Sequence, residues 1–351
     1  MSNLQFGSAL ASSRVESGKR IVVVGGGGYC GAVIVPMLLN AGWNVTVFDK
    51  LVWYGRKHLP AISDSFRIIQ GDVRDTASLA ASFVGCEYVL HLACISNDAS
   101  FELDERLSTS VNLESFEPTV IAAKAAGIRR FVFASSSSVY GVSDSPNVTE
   151  EHALVPLTLY NKYKGMCEKL LLRHVDVDFT GVIFRPATVC GYSPRQRLDL
   201  SVNILTNHAV NRGRVTVFGG AQLRPNLHIQ DYGELCLALL AAPEELVSGE
   251  IFNYGAENHS IRELAELVKN VVEGEFPGAG NIPIDVAPSD DLRSYHINSD
   301  KIKRVLGCVP RRSVVDAVKD LCGAFRAGLL PDSFVNDHYY NVRTMKAKLA
   351  T

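Results

Sequence analysis

The 351-residue sequence has no strong excess of charge, no long apolar run and no internal repeat. Its formal net charge of −2 gives no electrostatic reason to expect a nucleic acid or an anionic membrane as a partner. No apolar span is long enough to cross a bilayer, and residues 1–18 lack the apolar core of a signal peptide. We therefore interpret residues 1–18 as a flexible tail and expect a cytoplasmic protein.

The sequence also lacks any Cys-x-x-Cys pair, although it has eight cysteines. Most of them lie in apolar runs such as residues 91–95, which is typical of buried, reduced thiols rather than of disulfides or a zinc site. His228 and Asp231 are candidate metal ligands, but no third ligand has suitable spacing. We therefore predict that the protein binds no metal.

From residue 20 onward, short β-branched runs alternate with longer amphipathic stretches. The pattern predicts strands near residues 21–24, 44–48, 66–69, 88–92, 130–134 and 180–184, and helices near 29–40, 74–84, 111–126 and 158–174. Nearly continuous apolar strands separated by helices indicate a parallel sheet that is covered on both faces. Right-handed crossovers then give an α/β fold with a doubly wound, Rossmann-type sheet.

The second half of the chain is less regular. After Gly191 it becomes polar and irregular until about residue 225, and a strand near 251–254 and helices near 260–272 and 311–327 follow. We therefore predict a smaller C-terminal substrate lobe beside the Rossmann domain. The predicted boundaries are 19–190 for the Rossmann domain, 226–256 for a segment that returns to it, and 191–225 with 257–340 for the substrate lobe.

A glycine-rich turn lies between the first predicted strand and the first predicted helix. Gly25, Gly28 and Gly31 are spaced three apart, with Tyr29 and Cys30 between the last two. Glycine allows a tight turn and a close backbone approach, so that a pyrophosphate can lie against the amides of the helix N-terminus. The turn is therefore predicted to bind a dinucleotide.

Two acidic residues at strand ends bear on the identity of this dinucleotide. Asp49 ends the second strand, where a carboxylate can accept hydrogen bonds from both ribose hydroxyls of NAD and would repel the phosphate of NADP. Lys50 and Arg56 leave NADP as the alternative, and a solvated loop acid is the alternative for Asp49. Asp72, followed by Val73, either accepts from the adenine amino group or caps the next helix. We predict NAD.

The predicted helix at 158–174 carries a Tyr/Lys pair. Tyr160 and Lys164 are four residues apart and therefore share a helix face. A phenol with a pKa near ~10 is a poor base at neutral pH, but a neighbouring ammonium and a positively charged nicotinamide favour the phenolate. Tyr163 is the rival phenol, but the residue four positions on is Cys167, so Tyr163 lacks a neighbouring cation. The alternative is an ordinary surface pair.

Four consecutive serines, residues 135–138, follow the strand at 130–134. Open α/β sheets bind ligands at the carboxyl ends of their strands, so a serine hydroxyl here can share a hydrogen bond with a substrate oxygen. The alternative is a plain polar loop. His91 also lies at a strand end, but its apolar neighbours favour a packed histidine near the cofactor.

Taken in order, these motifs resemble the extended short-chain dehydrogenase/reductases that act on sugar nucleotides, the NAD-dependent epimerase/dehydratase family. The matching segments span roughly residues 20–300 and are 25–31, 72–73, 91–93, Asn112-Leu113, 135–141, Tyr160-x-x-x-Lys164 and Arg185-Pro186. The resemblance implies that Ser136 is the catalytic serine, Tyr160 the base and Lys164 its partner. It also implies that Leu92 and Ala93 bind the cofactor and that Asn112 is a structural residue that kinks a helix near the site.

The residues after Ser136 bear on the reaction. Dehydratases of the family carry Asp-Glu at these two places, whereas this chain has Ser137 and Ser138. Without an acid/base pair, water elimination has no obvious catalyst, and the turn before Val139 looks most like that of the 4-epimerases. We therefore predict a sugar-nucleotide 4-epimerase, with a dehydrogenase or 4-keto reductase as the alternative. A non-catalytic NAD-binding scaffold is disfavoured because the Ser/Tyr/Lys set is intact.

The resemblance further implies a nucleotide-diphosphate sugar as substrate. It implies that Asn203, Arg224 and Arg293 lie near the diphosphate, where two guanidinium groups can bind one pyrophosphate, although each arginine alone could form a surface salt bridge. The loop at 94–100, with Ser96 and Asn97, is expected to face the sugar together with Ser137 and Ser138. Residues 52–59 look like an insertion beside the adenosine half of the cofactor. Family members commonly form homodimers through helices near 100–126 and 157–174.

Overall fold

The computed structural model describes residues 18–349, apart from 53–54, 144, 146 and 290–293. Three features singled out from the sequence lie wholly or partly outside the described residues. They are the tail at 1–18 except for its last residue, residues 53–54 of the insertion at 52–59, and Arg293. The strands are β1 (Arg20–Val24), β2 (Asn44–Asp49), β3 (Phe66–Gln70), β4 (Tyr88–His91), β5 (Arg130–Ala134), β6 (Thr180–Pro186), β7 (Thr188–Cys190), β8 (Val215–Phe218), β9 (Leu223–His228), β10 (Ile251–Tyr254), β11 (Glu257–Ser260) and β12 (Ile284–Ala287). The α-helices are α1 (Gly31–Asn40), α2 (Thr76–Phe83), α3 (Asp98–Phe101), α4 (Glu105–Thr109), α5 (Phe116–Ala125), α6 (Leu159–Leu172), α7 (Ser201–Arg212), α8 (Ile229–Ala241), α9 (Glu244–Val247), α10 (Ile261–Glu275), α11 (Asp300–Leu306), α12 (Val314–Arg326) and α13 (Asn341–Leu349).

A seven-stranded parallel sheet forms the centre of the fold. Its strand order is β3-β2-β1-β4-β5-β6-β10, so that the strand order reverses direction between β1 and β4. Open α/β sheets bind ligands at such a switch point, at the carboxyl ends of the strands. The predicted doubly wound α/β sheet is confirmed.

Both faces of this sheet are buried, as β1 illustrates. Ile21 and Val23 belong to a core cluster that contains residues of α1 and α8, whereas Val22 and Val24 belong to a second cluster with residues of α2, α5 and α6. All four side chains are inaccessible to solvent. The strand is apolar at successive positions because each face of the sheet is covered by helices.

The C-terminal part of the chain builds a second core. Helices α7, α10 and α12 pack together over β8, which pairs with β12. Strands β7, β9 and β11 form a small separate sheet, and β10 returns to the edge of the central sheet beside β6. None of the described helices is long and apolar enough to cross a membrane.

The prediction of an irregular chain from 191 to about 225 is wrong, because α7 is a regular helix of 12 residues and β8 and β9 follow it. The buried side of α7 includes Asn203, Thr206 and Asn207, all fully buried. These polar side chains interrupt the apolar periodicity by which an amphipathic helix is recognised. The predicted substrate lobe also ends too early, because α13 begins at Asn341, directly after the predicted boundary at residue 340.

Candidate active site

A cavity of about 850 Å³ lies at the carboxyl ends of β1, β2, β4, β5 and β6 and is closed on its other side by the C-terminal lobe. Its volume is within the range of small-molecule and cofactor sites. The walls bring together most of the residues singled out from the sequence. These are Gly25, Gly28, Tyr29, Cys30, Gly31, Asp49, Asp72, Val73, Leu92, Ala93, Ser96, Asn97, Ser136, Ser137, Ser138, Tyr160, Lys164 and Arg224.

The glycine turn is shaped by close backbone contacts. Gly25 has a φ of +85°, and a Cβ there would lie 2.5 Å from the backbone nitrogen of Ala93. A Cβ on Gly31 would lie 2.3 Å from the carbonyl oxygen of Gly26. The turn therefore has no room for side chains at these positions and leaves its backbone bare at the N-terminus of α1. This arrangement fits a dinucleotide pyrophosphate.

Asp49 faces the glycine turn from the end of β2. Its carboxylate accepts hydrogen bonds from the backbone amides of Gly27, at 2.9 Å, and Leu51, at 2.6 Å. Burial raises the pKa of Asp49, and these two amide bonds oppose the rise. The side chain is thus held at the wall of the cavity, where it can accept hydrogen bonds from a ribose.

Asp72 is paired with cations. The Nζ atom of Lys50 lies 3.0 Å from its Oδ2, and the Arg74 guanidinium donates to both of its oxygens, which holds its pKa well below the usual range. The side chain that caps α2 is Asp75, which accepts from the amide of Ser78. The interpretation of Asp72 as a helix cap is therefore wrong, although Asp72 does line the cavity.

Helix α6 places the predicted Tyr/Lys pair at the cavity. Thr158 caps the helix, and Tyr160 and Lys164 both line the cavity from its first turns. The Lys164 Nζ atom donates to the carbonyl oxygen of Ala134 at 2.7 Å and lies 4.9 Å from the centre of the Phe133 ring. The ammonium group is therefore fixed at the carboxyl end of β5.

The environment of the Tyr160 phenol is dominated by burial, which raises its pKa well above the usual value. The nearby Cys94 and Asp98 add to this rise, and the Arg197 guanidinium opposes it. The sequence prediction assigned the favourable charge to Lys164 and did not include Arg197. The rival phenol, Tyr163, packs against the Phe101 ring, at 5.6 Å between centroids, and does not line the cavity.

The serine turn after β5 is a hydrogen-bonded unit rather than a loose loop. The Oγ atoms of Ser136 and Ser138 are 2.7 Å apart, and the Ser138 hydroxyl donates to Oδ1 of Asn161 on α6 at 2.5 Å. Ser137 and Ser138 are both buried. Hydroxyl groups therefore occupy the two positions that follow Ser136, and the turn is tied to the helix that carries Tyr160.

A buried ion pair between β6 and α6 holds the first residue of this serine turn. Arg185 on β6 binds both oxygens of Glu168 on α6, with N–O distances of 2.9 and 2.6 Å, and the Ser135 hydroxyl donates to the same carboxylate. Arg185 also donates to the Tyr140 hydroxyl at 2.7 Å. Glu168 and Arg185 are almost inaccessible and do not line the cavity, so they connect α6, β5 and β6 beneath it.

His91 and Asn112 have structural positions. His91 is buried with its ring 5.3 to 6.0 Å from those of Phe116, Phe131 and Phe133, which confirms a packed histidine. Asn112 lies in a π-helical turn at Ser110–Glu114, and its side chain both accepts from the amide and donates to the carbonyl of Ile95. The expected structural role of Asn112 is therefore confirmed.

Asn203 and Arg224, two of the predicted diphosphate ligands, are placed differently relative to the cavity. Asn203 does not line the cavity; its buried side chain accepts from the Gly191 amide at 3.0 Å and donates to the Arg197 carbonyl at 2.8 Å. Arg224 does line the cavity, with its guanidinium 5.4 Å from the Tyr295 ring centre. Arg293 lies outside the described residues.

Sequence reasoning missed a polar cluster on the cavity wall beside Ser96. Arg197 forms a two-pronged ion pair with Asp199, with N–O distances of 2.8 and 3.2 Å, and donates to the Ser96 hydroxyl at 3.1 Å. Arg195 and Asn341 also line this wall. The only signal in the sequence is a run of charges in a polar stretch, which is equally typical of a solvated loop.

Comparison with known proteins identifies the family. Residues 21–255 match the NAD dependent epimerase/dehydratase family, and the chain belongs to it. It is therefore an enzyme, and its cofactor is NAD.

Similar proteins include members with two different reactions. The UDP-glucose 4-epimerase of Corynebacterium glutamicum is 25% identical over 330 residues, covering 88% of this chain and 96% of the relative. A dTDP-glucose 4,6-dehydratase of Streptomyces niveus is 27% identical over 325 residues, covering 88% and 93%. The solved structure of a Thermus thermophilus UDP-glucose 4-epimerase with NAD is 25% identical, with a TM-score of 0.75, covering 88% of this chain and 99% of that one.

Proposed function

We propose that the protein is a sugar-nucleotide epimerase that oxidises a sugar hydroxyl transiently, at carbon 4. The observation that carries the proposal is the composition of the cavity wall. Ser136, Tyr160 and Lys164 line the same cavity as the glycine turn, whereas Ser137 and Ser138 stand where a dehydratase would carry its acid/base pair. Epimerisation needs a proton acceptor for the hydroxyl but no catalyst for water elimination.

The cofactor would lie along the glycine turn. Gly25, Gly28 and Gly31 would hold the pyrophosphate and Asp49 the adenine ribose. Asp72 and Val73 would lie beside the adenine, and Leu92 and Ala93 would contact the cofactor from the β4 side; all four residues line the cavity. When bound, NAD supplies a reversible hydride acceptor for the sugar carbon.

In this proposal the chain's own residues move the proton. The Tyr160 phenolate removes the proton from the sugar hydroxyl and returns it after the ketone has presented its other face. Ser136 would donate a hydrogen bond to the same oxygen, and the Lys164 ammonium would hold the nicotinamide ribose when NAD is bound. Burial alone favours the protonated phenol, which cannot act as a base. The charge of Arg197, and the positive charge of the nicotinamide when NAD is bound, would oppose this effect and favour the phenolate.

The substrate would bind through both of its halves. Arg224 and Arg293 are the candidate ligands of the diphosphate, with Asn203 bracing the loop beside it. Ser96, Asn97, Ser137 and Ser138 would face the sugar.

We also propose a homodimer through α5 and α6, since Ile121 and Met166 expose 52% and 40% of their surface on these helices. Light scattering should then give twice the mass of the chain.

A nucleotide-sugar panel tests the reaction. The purified protein is incubated with UDP-glucose, UDP-galactose or dTDP-glucose without added cofactor, and the products are separated by chromatography. An epimerase interconverts one pair of sugars with no net change in bound NAD. Stoichiometric consumption of added NAD or NADH would instead support a dehydrogenase or reductase, and a 4-keto-6-deoxy product would support a dehydratase; either result would refute the proposal.

A further inference from the structure

The C-terminal segment, residues 330–349, forms part of the cavity although it lies well outside the family match at 21–255. Leu330, Tyr339 and Tyr340 are buried in a small apolar cluster with Leu198. The Leu198 amide also donates to the carbonyl of Tyr339 at 2.9 Å. The segment is therefore packed firmly against the loop that carries Arg197 and Asp199, and it brings α13 to the cavity wall.

Asn341, the first residue of α13, is one of the residues through which this segment lines the cavity. Its backbone amide donates to Oδ2 of Asp199 at 3.0 Å, and its Nδ2 donates to the Ser96 hydroxyl at 3.0 Å. Its Oδ1 accepts from Nη2 of Arg195 at 2.8 Å. Only 3% of Asn341 is exposed, so these bonds form in a buried environment, where they are costly to break.

The two loops that Asn341 joins come from distant parts of the chain. The Ser96 loop follows β4 in the Rossmann sheet, whereas the Arg197–Asp199 loop follows β7. They also contact each other, since Arg197 donates to the Ser96 hydroxyl. Ser96 thus receives hydrogen bonds from Arg197 and Asn341, and Asp199 receives them from the same two residues.

We propose that Asn341 is a positioning residue that holds the Ser96 loop and the Arg197–Asp199 loop in register at the sugar end of the cavity. It does not need to touch the substrate. Since Arg197 also acts electrostatically on Tyr160, a shift of this wall would change both the fit of the sugar and the surroundings of the proposed base. The role of this wall in sugar binding rests on the proposed function, whereas the mechanical coupling of the two loops does not.

Hydrogen–deuterium exchange tests the coupling on the full-length protein without a substrate. In Asn341→Ala, peptides covering 94–101 and 193–200 should exchange about tenfold faster than in the wild type, since the two buried side-chain hydrogen bonds, to Ser96 and from Arg195, are lost while the backbone bond to Asp199 remains. Peptides from β1 and β5 should be unchanged. Lys346→Ala, which changes an exposed residue of the same helix, is the matched control and should resemble the wild type. Unchanged exchange in both loops of Asn341→Ala would overturn the proposal.

Steady-state kinetics test the consequence, with UDP-glucose as the probe. Asn341→Ala should raise KM about tenfold and change kcat by less than about threefold, with bound NAD retained. Ser96→Ala removes the acceptor of the same hydrogen bond and should also raise KM. Because the two substitutions break one shared bond, the double variant should raise KM by less than the product of the two single increases. If the KM increases of the two single variants multiplied in the double variant, or if Asn341→Ala lost bound NAD in proportion to its loss of activity, the positioning role would be refuted. If the wild type converts no nucleotide sugar, the proposed function fails while the exchange result still decides the coupling.

Discussion

The buried histidine gives a stability prediction that can be worked out from the structure. Burial, reinforced by the Lys164 ammonium, lowers the pKa of His91 from 6.5 to about 3. Between these values the unfolded chain binds a proton that the folded protein does not, so stability must fall as the pH falls through 6.5. At pH 5 the loss attributable to His91 is about 2 kcal/mol, and at pH 7.5 it is close to zero.

Urea unfolding at pH 7.5 and pH 5.0 measures this loss. In His91→Phe the titrating group is removed from a cluster of phenylalanines, so the drop in the free energy of unfolding between the two pH values should be about 2 kcal/mol smaller than in the wild type. An identical drop in the wild type and His91→Phe would refute the inference that His91 is buried in its neutral form.

Three further substitutions test the cofactor turn, an open helix position and the support beneath the serine turn. Gly31→Ala should abolish NAD retention, measured by absorbance after denaturing the protein, because the new Cβ would overlap the preceding backbone; full NAD content would contradict that geometry. Gly274→Ala places a Cβ in open space on α10 and should stabilise the protein by about 0.5–1 kcal/mol in thermal unfolding, and destabilisation would count against the helix there. Glu168→Gln should cost about 3–5 kcal/mol because it leaves Arg185 buried without its partner, whereas Glu250→Gln, at a partly exposed ion pair, should cost less than about 1 kcal/mol; similar costs would show that burial is not decisive.

The predictable parts of the fold are those in which apolar residues follow one another directly along the chain. The buried strands β1, β5 and β6 are read directly from the sequence because both of their faces are covered. The same reasoning failed at α7, where Asn203 and Asn207 face the core and bind neighbouring backbone and side chains. Polar residues on the buried face of this helix interrupt the apolar periodicity that would have identified it.

The site follows the same distinction. The glycine turn and the Tyr160/Lys164 pair were predictable because their chemistry depends on short spacings along the chain. Arg197 and Asn341 were not, because their function depends on contacts between residues far apart in sequence, such as that between Ser96 and Asn341. Nothing in the residues around position 341 indicates that this helix meets the cavity.

The most direct test of the proposed mechanism compares Tyr160→Phe with Tyr163→Phe on the nucleotide sugar that the wild type converts. Tyr160→Phe removes only the phenol oxygen at the cavity wall and should lower kcat at least about a hundredfold, with bound NAD unchanged. Tyr163→Phe, outside the cavity, should keep kcat within about threefold of the wild type. Unchanged turnover in Tyr160→Phe would contradict the assignment of Tyr160 as the base.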